Sequence, residues 1–120
     1  MENKYTAAYF INKFQNTSLE SWGVGFYRSV RANGKEVSCA LGQCGVNSHI
    51  DAMGNEEARA LVALFGGHKG EDYNTGVVTR LNDYVDPTNT HSRYNTPTQA
   101  KEAILCKLTE VLFKQEEDGI

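Results

Sequence analysis

Little in this chain answers to the usual supports of a small protein. Three cysteines in 120 residues are too few for a disulfide framework, and they read as reduced thiols. Two prolines and no low-complexity tract exclude an extended linker or a fibrous repeat. A basic excess is missing as well: twelve Lys and Arg stand against fifteen Asp and Glu, a formal net charge of −3. A protein that coats duplex nucleic acid needs a cationic face, so that class is set aside, while a local basic pocket stays open. No apolar run approaches the roughly 18 residues of a membrane-spanning helix. The opening MENKYTAAYF has neither the charged-then-apolar order nor the small-residue cleavage site of a secretion signal. The expectation is a cytoplasmic protein with no membrane partner.

What is present suits one soluble globular domain over residues 1–120, with 40% hydrophobic and 22% charged residues. Ala7, Phe10, Ile11 and Phe14 keep helical spacing, with Thr6 as cap and Asn16 as stop. From Val24 the period changes to two, and Asn33-Gly34 predicts a tight type I′ hairpin returning along Lys35 to about Ser38. Ser38 then caps a short helix carrying Ala40, Leu41, Cys44 and Gly45 on one face. Asn55 opens a clearer helix with Ala58, Leu61, Val62 and Phe65 in its stripe, closed by Gly66 and Gly67. Residues 76–86 favour a helix capped by Thr75 and stopped before Pro87. Thr96-Pro97-Thr98-Gln99 is a capping box that starts the last helix, whose stripe runs Ala100, Ala103, Ile104, Leu108, Val111 and Leu112. Its acidic end opposes the helix dipole, so residues 115–120 are expected to fray. The fold class is α+β: a β-hairpin over about 23–38 packed against about five helices.

Chemistry has few places to sit. In KEVSCALGQCGVN, residues 35–47, Cys39 and Cys44 form only a loose pair. Cys106 and the scattered His49, His68 and His91 supply no second pair, so no metal is expected. Asp83, Asp86, Glu71 and Asp72 lack the spacing of a calcium loop. Cys39 in the first turn of a helix would have a lowered pKa and could act as a nucleophile. The same small residues are equally what a tight helix–hairpin joint demands. GGHKG resembles a phosphate-binding loop only loosely, without the full spacing or a preceding strand. Two polar segments, 66–76 and 87–96, are long enough to carry function. With their neighbours they offer His68, Lys69, Tyr73, Arg80, Arg93 and Tyr94, cations and aromatic faces that suit an anionic, nucleotide-like ligand. Asn82-Asp83, unusual in mid-helix, either bridges to the hairpin backbone or contacts a ligand. Trp22 is expected to be buried.

Three landmarks stand in order: Trp22-Gly23 after the first helix, CALG at Cys39 to Gly42 after a strand, and LND at Leu81 to Asp83 followed by a Thr98-led helix. Together they resemble the domain-of-unknown-function 6197 family, small proteins encoded by bacteria and their phages, over roughly residues 6–112. The resemblance implies a compact, phage-related accessory protein in the cytoplasm of a bacterial host cell, and brings no established activity.

The expectation drawn from both lines is a non-enzymatic protein that binds and sequesters a small anionic, nucleotide-type signalling ligand in a counter-defence role, without cofactor or metal. Its candidate ligand-binding residues are His68, Lys69, Tyr73, Arg80, Asn82, Arg93 and Tyr94. A homo-oligomer is expected, because a domain of this size gains a deep pocket most easily between subunits. Two alternatives stay open: a protein–protein inhibitor of a host factor, and a Cys39-dependent hydrolase or transferase.

Overall fold

Helix starts are set by local chemistry, and three of the expected caps form. The Thr6 side chain accepts from the Tyr9 amide at the head of α1 (Ala7–Gln15), and Asn55 accepts from the Ala58 amide at the head of α3 (Glu56–Leu64). Thr96 and Gln99 close a reciprocal box at 3.2 and 3.0 Å ahead of α5 (Pro97–Asp118). The computed structural model describes residues 4–30, 32–69 and 72–118, without the side chains of His49, His68, Lys69, Asp72, Tyr73 and Asp118. The described α5 backbone is helical through Asp118.

The hairpin pairs β1 (Arg28–Val30) with β2 (Glu36–Ser38) antiparallel, Val30 opposite Glu36 and Arg28 opposite Ser38. Its turn is longer than the two-residue type I′ expected from Asn33-Gly34. Among the described residues only glycines have positive φ, so Asn33 cannot take the left-handed state that turn requires. Instead Gly34 is left-handed at +83°, and the Asn33 carboxamide accepts from the Lys35 amide. Ser38 does not cap a helix either; it ends β2, and a single 3₁₀ turn follows at Gly42–Cys44. The short α2 (His49–Gly54), opened by Ser48, escaped notice because Ala52 is its one buried hydrophobic residue while Ile50 and Met53 are exposed.

Gly66, at φ +82°, ends α3, and the Gly67 amide reaches back to the Val62 carbonyl. The segment after it folds into a small second hairpin, β3 (His68–Lys69) against β4 (Asp72–Tyr73), rather than an open loop. α4 (Gly76–Asp83) follows, although the Thr75 side chain makes no capping bond to it. α1 and α5 pack across the core, which gathers Phe10, Phe14, Trp22, Leu41, Leu61, Ile104 and Leu108 with no exposed surface. Burying each of these side chains is worth about 1.5–3 kcal/mol. Trp22 meets Phe14 edge-on at 5.4 Å, and the Lys101 ammonium donates to the Thr17 carbonyl just past the end of α1. Among the described residues, no helix is long and apolar enough to cross a membrane.

Candidate functional site

α4 sorts its side chains onto different faces, and this decides which of the expected residues can meet a ligand. Asn82 points inward and is fully buried. Its Oδ1 accepts from the Trp22 indole Nε1 at 2.9 Å and the Ala40 amide at 3.4 Å, while its Nδ2 donates to the Gly23 carbonyl at 3.0 Å. Every polar atom of this carboxamide is therefore committed to protein, and Asn82 is corrected from ligand contact to internal bridge. Asp83 is fixed beside it, its Oδ1 accepting from Asn82 Nδ2 and from the Gly25 amide, each at 2.9 Å.

Arg80 faces elsewhere. It lines a cleft of about 270 Å³ with Phe65, Val77, Leu81, Pro87 and Lys107. Gly76, where α4 begins, and Thr88, in the 87–96 segment, complete the wall, so the ends of the two polar segments meet here. The Arg80 guanidinium lies against Gly76, where a β-carbon would come within 2.9 Å of Cζ. Neither Arg80 nor Lys107 has an ion-pair partner among the described residues. Two cations without ion-pair partners among the described residues thus stand over an apolar floor of Phe65, Val77, Leu81 and Pro87, an arrangement that can hold a planar anion by its charge and its face.

Of the other expected residues, Arg93 and Tyr94 do not line this cleft. Tyr94 stacks on Tyr84 at 5.1 Å and 19°, and its ring lies over Gly25. Arg93 is exposed, its carbonyl accepting from the Val85 amide. The backbones of His68, Lys69 and Tyr73 belong to the β3–β4 hairpin, and their side chains lie outside the described residues. Lys107 is not marked by the sequence pattern, because it sits beside the apolar stripe of α5 and outside both polar segments. Its place three residues after buried Ile104 and next to Leu108 was the available signal. The 87–96 segment and Asp86 just before it are tied by local hydrogen bonds. Asp86 accepts from both the amide and the hydroxyl of Thr88, which hold its carboxyl below the usual range, and its own amide donates to Ser92 Oγ.

Cys39 does not sit in the first turn of a helix; it follows β2 and is 2% exposed. Burial pushes its thiol up to about 11, with the Asp83 charge adding and backbone hydrogen bonds from Gly42 and Leu41 opposing. That is the reverse of an activated nucleophile. Burial pushes Cys44 up as well, and its thiol donates to the Ala40 carbonyl at 3.7 Å. A group whose folded pKa is raised keeps its full contribution to stability below the unfolded value, here 9.0, and loses it as pH climbs toward about 11. Urea unfolding is therefore expected to show stability falling above pH 9, by about 2–3 kcal/mol from Cys39 alone. Cys39→Ala should make that fall shallower, and an unchanged slope would contradict the assignment.

Among the described residues, no group of three His, Cys, Asp or Glu side chains is placed to hold a metal ion. No family model, curated protein or solved structure matches the chain.

Proposed function

We propose that the protein is a non-enzymatic binder of a small anionic ligand, held in the cleft between the start of α4, the 87–96 segment and the middle of α5. The observation that carries this reading is the convergence of Arg80 and Lys107, both without ion-pair partners among the described residues, on one apolar floor. Each cation supplies a charge-assisted hydrogen bond, and Phe65, Leu81 and Pro87 offer a flat apolar contact for a ring. A nucleotide has both features. At about 270 Å³ the cleft lies just under the usual range of roughly 300–1,000 Å³ for small-molecule sites. It suits a mononucleotide, or one end of a larger nucleotide whose remainder meets a second subunit of a homo-oligomer. Sequestration of a nucleotide-type signal, as a phage-related counter-defence protein would practise it, is the role that joins this cleft to the family resemblance of residues 6–112.

The test is titration calorimetry against AMP, ADP-ribose and a cyclic dinucleotide, with Arg80→Ala and Lys107→Ala alongside the unaltered chain. At least one probe should bind. Each substitution should weaken it roughly ten- to hundredfold, the equivalent of one hydrogen bond to a charged group. No heat from any probe would remove this ligand class.

A further inference from the structure

A second cavity, of about 210 Å³, opens on another face of α4, lined by Gly25, Phe26, Tyr27, Cys39, Thr79 and Asp83. Among the described residues it shares none with the Arg80 cleft. Its single charged wall group among the described residues is the Asp83 carboxylate. The bonds from Gly25 and Asn82 to Oδ1 lock that carboxylate in place, and Oδ2 accepts no hydrogen bond from the described residues. Nor does Asp83 have an ion-pair partner among them. Two aromatic residues, Phe26 and Tyr27, form part of the wall, and the ring of Tyr94 lies against Gly25, another of the lining residues.

These groups define what can fill the space. An anion would face the carboxylate. A neutral apolar molecule would strip water from Asp83 and return nothing for it. A metal ion needs several hard or thiolate ligands, and here one carboxylate stands beside a buried, protonated thiol. An organic ammonium ion satisfies all the constraints, because its charge pairs with Oδ2 while its alkyl groups lie against the rings, where cation–π attraction adds to the ion pair. We propose that this cavity, formed by Asp83, Phe26 and Tyr27, binds a small organic ammonium ion, independently of the anion cleft. Asp83 supplies the countercharge, the aromatic wall selects alkylated nitrogen, and the hydroxyl of Thr79 is at hand for a hydroxyl-bearing tail.

Choline and its uncharged carbon isostere dimethylbutanol, which share shape and differ in charge, provide the test. In amide-resolved NMR titrations choline should shift the Gly25 and Thr79 resonances saturably, with a dissociation constant of about 1 mM or tighter. Dimethylbutanol should bind at least tenfold more weakly. Asp83→Asn keeps the Oδ1 acceptor and should lose at least tenfold in choline affinity. Phe26→Leu should lose about two- to fivefold, the contribution of one partly exposed cation–π contact. Equal binding of the two probes, absence of a saturable choline shift, or undiminished binding by a folded Asp83→Asn variant would each overturn the proposal. The two-probe comparison on the unaltered chain decides the matter even if a variant fails to fold.

Discussion

Asn82→Leu is expected to remove most of the folding stability. The leucine fills the space but leaves the Trp22 indole N–H, the Ala40 amide and the Gly23 carbonyl without the partner each has now. A buried polar group stripped of its hydrogen bond costs about 1–3 kcal/mol, so the three together approach the ~5–15 kcal/mol that holds a typical domain folded. A loss of about 4 kcal/mol or more is expected in urea unfolding. Asn82→Asp should fare no better. It keeps the acceptor for Trp22, but sets a buried oxygen against the Gly23 carbonyl and the Asp83 carboxylate, where Nδ2 now donates. A cost below about 1 kcal/mol for Asn82→Leu would mean that the carboxamide is not the bridge described.

Gly42→Ala is the second substitution with a large expected effect. A β-carbon there would overlap the Tyr27 carbonyl oxygen and come within 2.7 Å of the Ser38 β-carbon and 2.9 Å of the Tyr27 carbonyl carbon. These are backbone and near-backbone atoms with no rotamer to retreat into. The same Tyr27 carbonyl accepts from the Cys39 amide at 3.3 Å, so moving it also disturbs the end of the hairpin. Forcing one methyl into a packed interior costs typically about 1–3 kcal/mol, and a backbone clash belongs at or above the top of that range. Gly54→Ala is the matched control. It sits at the end of α2 with nothing within 4 Å of the added carbon, and a gain of about 0.4–1 kcal/mol is expected there. If both variants melt with the parent, the joint around CALG is looser than described.

These two sites also explain what was legible in advance. Caps were readable because Thr6, Asn55 and the Thr96–Gln99 pair act on amides three residues away. The apolar stripes of α1, α3 and α5 were readable for the same local reason. Asn82 reads as either a bridge or a ligand contact, and only the fold separates the two, because its partners Trp22, Gly23 and Ala40 lie 42 to 60 residues away in sequence. Trp22, CALG and Asn82, noticed as separate landmarks, turn out to meet at this one carboxamide. Residues held by such a joint speak to architecture, and of the three landmarks the cleft includes only Leu81 of LND. The hairpin turn was misjudged because Asn-Gly states a preference for positive φ at both positions, while the strands close only at Val30 and Glu36. Arg80 was legible as a cation between two polar segments. Lys107 was not, since what sets it beside Arg80 is the packing of α4 on α5.

The lone indole of the chain has a spectroscopic consequence. Trp22 is buried, edge-on to Phe14, with its N–H bonded to Asn82, and it lines neither cavity. Its emission is therefore a built-in gauge of one place only, where three separate segments of the chain are tied together. An optical trace during denaturation will follow that tie, whereas occupancy of either recess must be read by heat, by magnetic resonance, or by a fluorophore introduced for the purpose.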